Sequence, residues 1–194
     1  MSTRDAAASF GDMVETLKKA VAALRDNDVP YVLGGGLAIW ARGGPKSDHD
    51  LDFMVREQDA DRALDALVAA GMRAEKPPEG WLYKAFDGNG VMVDLIFRPT
   101  DEPVTDELLS RGEELEVNAI EVNVMSAEDV FVSKLLALRE HELDFDDLVA
   151  MTRAVREQID WDDVRTRTQQ SPFARAFFTL AEGLELVEPL PNPS

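Results

Sequence analysis

The sequence predicts an α+β fold: a small mixed sheet flanked by helices, followed by a C-terminal helical bundle. Three observations predict it. Short apolar runs of strand length alternate with helical segments up to about residue 125. From Ser126 onward every periodic segment is helical. The 194 residues, 45% of them hydrophobic, suit one domain or a small α/β domain with a helical extension.

The elements follow in order. Met13, Leu17, Val21 and Leu24 recur at three- and four-residue spacing and predict a helix over 6–27. Pro30 follows its stop, and 31–33 is a short apolar strand. Gly34, Gly35 and Gly36 form a turn into a helix over 37–42, which Gly43, Gly44 and Pro45 break. Residues 50–55 alternate like a strand, and a helix over 59–70 stops at Gly71. Strands are expected near 72–74, 81–86 and 91–97, with Gly88-Asn89-Gly90 as a hairpin turn, and again at 119–125. Ser126 with Asp129 resembles a capping box. Helices follow at about 126–140, 144–157, 160–169 and 172–184. The expected division is an α/β core over 1–125, a helical region over 126–188, and a flexible tail over 189–194 marked by Pro189, Pro191 and Pro193. There is no internal repeat.

Composition removes several chemistries. Without cysteine there is no disulfide, thiolate metal site or cysteine nucleophile. The two histidines, His49 and His141, cannot make a multi-histidine centre. Carboxylates remain as metal ligands, which favours Mg²⁺ or Mn²⁺. No apolar run approaches the roughly 20 residues of a membrane span, and the first ten residues lack an apolar signal core. A soluble cytoplasmic protein with no membrane partner is expected. The net charge is −18, with acids outnumbering bases 16 to 11 up to residue 97 and 22 to 9 after it. That balance opposes broad nucleic-acid binding, which needs clustered cations. The exception is Arg153, Arg156, Arg165, Arg167 and Arg175, five bases in a stretch with four acids.

Asp50 and Asp52 flank Leu51. On a strand both carboxylates share one face, while Leu51, Phe53 and Val55 point to the other. Such a pair is either a solvated surface edge or a site awaiting a cation. Asp94 stands alone in the apolar run 91–97. In a sheet interior it must be paired with an arginine or backbone donors, or bound to metal. If its strand lies beside 50–55, three carboxylates converge in the way that suits two divalent ions clamping a phosphoryl displacement. Gly35 and Gly36 before a helix let backbone approach a ligand, although most such turns are only turns.

Taken together, the glycine turn at 34–36, the helix after it, and the Asp50-Leu51-Asp52 strand resemble the signature of DNA polymerase β-like nucleotidyltransferases over about 28–98. The resemblance implies that Asp50, Asp52 and Asp94 hold two Mg²⁺ (or Mn²⁺) ions, and that Gly35 and Gly36 bind the triphosphate of an NTP. Relatives often carry Arg and Thr or Ser just before the acidic pair. Lys46 and Asp48 stand there in this chain, and Lys46 remains a candidate phosphate contact. His49 is expected to face away from Asp50 in a supporting role. Trp40, Trp81 and Tyr83 are candidates for stacking on a base or for core packing.

Lys134 rises from an apolar stripe of Val130, Phe131, Ala137 and Leu138. Its ammonium either snorkels to solvent or meets an anion. With Arg139, Asp144 and Asp147 it forms a block similar to that of abortive-infection (AbiE-type) and Men-type toxin nucleotidyltransferases. That resemblance implies Lys134 on the nucleotide and Asp147 supporting the site as a base, with Asp144 as alternative or as helix N-cap. It further implies NMP transfer to RNA, most readily tRNA, by a toxin with a cognate antitoxin. The rival readings are transfer to a small cationic acceptor such as an aminoglycoside-like antibiotic, transfer to a protein, and a non-catalytic nucleotide-binding module.

Overall fold

The computed structural model describes residues 9–46, 50–100 and 102–189. Asp48, His49 and the expected tail beyond 189 lie outside the described residues.

Helix α1 (Phe10–Asp26) begins at Ser9 with a complete capping box: Asp12 N–H donates to Ser9 Oγ, and Asp12 accepts from the Ser9 backbone at 2.9 Å. Then come β1 (Tyr31–Leu33), α2 (Gly35–Trp40), β2 (Leu51–Val55), α3 (Ala60–Ala69), β3 (Arg73–Glu75), β4 (Leu82–Phe86) and β5 (Met92–Ile96). The chain continues through α4 (Asp106–Ser110), β6 (Glu113–Val117) and β7 (Ile120–Val124) into α5 (Ala127–Ala137), α6 (Phe145–Val155), α7 (Trp161–Thr168) and α8 (Pro172–Gly183). The expected α+β architecture is observed.

The sheet has seven strands in the order β3-β4-β5-β2-β1-β7-β6. The β2–β5 and β1–β7 pairs are parallel and the other pairings antiparallel. In the β2–β5 register Asp52 lies directly beside Asp94. Leu51, Phe53 and Val55 point away from that face and are fully buried, as the alternation requires. The buried apolar residues form one contiguous cluster that runs through Ser126 into the helical half, where α5 packs against α2, α6, α7 and α8.

Two elements exceed the sequence expectation. α4 is only five residues long and has no buried face. β6 reads Glu-Glu-Leu-Glu-Val, the charged sequence of an exposed edge strand. Its hairpin to β7 turns at Asn118 and Ala119 with φ of 51° and 66°, the geometry that Asn-Gly usually signals. The expected box at Ser126 is half formed. Ser126 Oγ accepts from Asp129 N–H at 3.1 Å, but the Asp129 carboxylate is taken by Arg111 and Arg167.

Candidate active site

The site begins with β2. Gly34 N–H donates to the Asp52 carbonyl at 2.8 Å, which ties the glycine turn to the acidic strand. Gly35 has φ +58°, a left-handed backbone that favours glycine. A Cβ there would fall 1.8 Å from Asp52 Oδ2. Glycine is therefore required by the approach of the carboxylate as well as by the turn. Gly36 is the second residue of α2 and half-buried.

Asp52 opens partly onto a cavity, yet the surrounding protein strips most of its hydration. Burial first, then the Asp94 charge, and more weakly Asp50, raise its pKa to about 7, against opposing pulls from Lys134 and Lys84. Asp50 is half-buried and close enough to contribute to that shift. Asp94 is buried. Its counter-ion is Lys84 on the neighbouring strand β4, with Nζ 2.9 and 3.0 Å from the two carboxylate oxygens. The same ammonium lies 3.3 Å from Met92 Sδ.

Lys84 is the residue that the sequence reading missed. Its signal was present, because 84 and 94 lie five residues either side of Asn89, the centre of the hairpin turn, and pair directly across it. Among the described residues no three carboxylates or imidazoles stand close enough to hold an ion as they are. Asp94 is turned onto Lys84 instead. The all-oxygen donor set and the adjacent carboxylates still fit a hard divalent ion.

Lys134 reaches from α5 toward the same centre, and its field lowers the Asp52 pKa. Its ammonium meets an anion as well as solvent: Asp147 Oδ2 lies 3.1 Å away. Asp144 caps α6 by accepting from Asp147 N–H at 3.3 Å. Two cavities meet at Lys134. One, about 230 Å³, runs from Gly35 and Asp52 past Met54, Met125 and Ile96 to Trp81. The other, about 260 Å³, is edged by Glu142, Asp144 and Asp147. Lys46 is exposed, with Nζ 5.0 Å from the Phe10 ring centre. The structure thus brings Gly35, Asp52, Asp94 and Lys134 together, with Asp147 joined through Lys134.

No helix is long and apolar enough to cross a membrane among the described residues. A search of curated proteins finds no match. Among solved structures, the chain is similar to the antibiotic-resistance factor ANT(2'')-Ia in solution. The two are 17% identical with TM-score 0.63, over 91% of this chain and 98% of that one. The same factor in complex with adenylyl-2''-tobramycin matches at 17% identity and TM-score 0.60, over 86% and 97%. A nucleotidyltransferase-like protein from Paracoccidioides brasiliensis matches at 16% and 0.53, over 89% and 88%. At these identities the likeness is one of fold. A family model described as "Uncharacterised nucleotidyltransferase" matches residues 2–186, and the chain belongs to that nucleotidyltransferase family.

Proposed function

We propose that the chain moves a nucleoside monophosphate from an NTP to an acceptor hydroxyl, using Mg²⁺ or Mn²⁺ held by Asp50, Asp52 and Asp94. The observation that carries this reading is the Asp52–Asp94 pair. Two carboxylates side by side, one with its pKa raised to about 7, are short of positive charge. Divalent ions bound there would supply Lewis-acid polarisation of the phosphate and activation of the acceptor hydroxyl.

The protein's own groups do the rest. Gly35 lets the backbone lie against the Asp52 carboxylate, where any side chain would clash. Lys134, between the two cavities, offsets charge on the phosphates. Gly36 and Lys46 remain secondary phosphate contacts under this proposal. In the reaction the acceptor oxygen bonds to the α-phosphorus and the bond to the β-phosphate bridging oxygen breaks. Pyrophosphate leaves with the bonding pair. The acceptor proton passes to a carboxylate, for which Asp147 is the candidate.

One acceptor that suits the site is a small cationic molecule, of the aminoglycoside-like class. The cavity beyond Lys134 carries Glu142, Asp144 and Asp147 on a chain of net charge −18. The arginines of the late basic stretch are largely committed within the protein: Arg167 to Asp129 and Asp163, Arg165 to Glu182, and Arg156 to Glu157. The second reading is transfer to tRNA by a toxin with an antitoxin partner. It is supported by the Lys134–Asp147 contact, because these residues carry the AbiE-type resemblance.

The test is incubation with each α-labelled NTP, Mg²⁺ or Mn²⁺, and either an aminoglycoside panel or total RNA, beside an Asp52→Asn control. Label on the drug, lost in the control, supports the first acceptor. Label on tRNA-sized RNA supports the second. No transfer to either counts against both.

A further inference from the structure

Resting on that reading, we propose that the apolar cavity between the sheet and α5 receives the nucleobase of the NTP, and that Trp81 is its stacking surface. Trp81 differs from the other two tryptophans. Trp40 packs edge-on against Phe10, and Trp161 lies against Phe131 and Phe178. Trp81 is 40% exposed and joins no aromatic pair among the described residues. Its indole N–H has no protein acceptor there, whereas that of Trp161 donates to the Arg156 carbonyl. Set on the wall of a cavity, a large ring left open in this way offers a planar ligand a face to stack on.

The position of the ring decides what that ligand is. Trp81 precedes β4, and its carbonyl accepts from Phe97 and Arg98 N–H at 3.1 and 3.2 Å, which fixes it at the end of β5. From there Ile96, Met54 and Met125 form a mostly apolar floor that runs back to Asp52. At about 230 Å³ the cavity is smaller than the roughly 300–1,000 Å³ of sites that enclose drug-sized ligands, so it suits a single ring system. A polycationic acceptor is drawn more strongly to the cavity on the other side of Lys134, which carries Glu142, Asp144 and Asp147. A nucleobase is uncharged and planar. Stacked here, its phosphates extend toward Asp52, Gly35 and Lys134.

The test compares wild type, Trp81→Ala and Trp81→Phe in the full chain with Mg²⁺. Calorimetry measures affinity for the four NTPs and for inorganic tripolyphosphate, and circular dichroism checks that each variant is folded. Trp81→Ala is expected to weaken the best-bound NTP by about five- to a hundred-fold, the range for loss of base–aromatic stacking. Tripolyphosphate affinity stays within about twofold, because it has no base to stack. Trp81→Phe keeps most of the NTP affinity but loses the quenching of tryptophan fluorescence that NTP causes in wild type. Unchanged NTP affinity in Trp81→Ala, or equal losses for NTP and tripolyphosphate, overturns the subsite while leaving the transferase reading intact. A wild-type chain that binds no NTP overturns the transferase reading, and this subsite with it.

Discussion

Asp129 and Asp52 are two aspartates set into the same fold, and their surroundings are opposite. Asp129, on α5, is 1% exposed. Arg111 grips both its oxygens at 2.9 Å, and Arg167 adds a further contact. Burial alone would raise its pKa, but the hydrogen bonds from Arg111 and then Arg167 outweigh it and hold the carboxyl below its ordinary value. Asp52 is surrounded by protein without a matched guanidinium. Beside it stands Asp94, and the two nearest lysines are committed elsewhere, Lys84 to Asp94 and Lys134 to Asp147. Its pKa moves the other way, to about 7. A buried acid supplied with its own cations belongs to the scaffold. One left short of positive charge is where the proposed metal ions would sit.

The comparison breaks most directly if Asp52 is replaced. Asp52→Asn should reduce nucleotidyl transfer by about a thousand-fold or more, since metal ions supply several kcal/mol to such reactions. In metal-free buffer the same variant should unfold no earlier than wild type, because an uncomfortable charge is removed. A variant that loses stability together with activity would place Asp52 among the structural acids. Next in size is Asp129→Ala. It leaves Arg111 and Arg167 without their carboxylate and should cost about 3–5 kcal/mol in denaturant unfolding, the usual cost of breaking a buried pair from one side.

The two acids also differ in the sign of their pH dependence. The folded pKa of Asp129 lies below its unfolded value of 3.8, so the stabilisation it confers is complete above that value. It is lost as pH falls through the lower, folded pKa. Unfolding free energy followed from about pH 6 to about pH 3 should therefore drop toward the acid end. The Asp129→Asn variant should show a flatter acid limb, and an identical limb would remove Asp129 as its source.

How much of this could be read before the structure differs between the two acids as well. Asp52 was legible because strand alternation is local: the Asp-x-Asp spacing fixes its face and the glycine turn precedes it at short range. The sheet core was legible for the same reason, in the apolar faces of β2 and β5. Asp129 looked like half of a capping box, because nothing local shows that Arg111, 18 residues before it, and Arg167, 38 after it, converge there. Lys84 was an intermediate case, since it needed only the hairpin register around Asn89. α4 and β6 escaped because one has no buried face and the other is a charged edge, so neither carries a hydrophobic period.

Lys84 sharpens the comparison from the side of Asp94. With Nζ on both oxygens, the ammonium stands where an incoming ion would also be drawn. Lys84→Met should therefore strengthen Mn²⁺ binding on the order of tenfold, a modest share of the Coulomb energy of two charges at contact near a protein surface. Weaker binding in this variant would instead mean that the lysine orients Asp94 for the ion.

The smallest effect on stability is expected at the Lys134–Asp147 pair. Both side chains keep a third or more of their surface in solvent, 33% and 41%, and such pairs contribute about 0–1 kcal/mol. Asp147→Asn should accordingly leave unfolding nearly unchanged. It also releases the Lys134 ammonium toward the cavity that holds Asp52, so KM for the NTP should fall. If Asp147 takes the acceptor proton, kcat falls in the same variant by roughly a hundred-fold, the lower end of general-base contributions. A lower KM with unchanged kcat would leave Asp147 as a counter-ion that only restrains Lys134. The pair would then belong with the scaffold acids, on the side of Asp129.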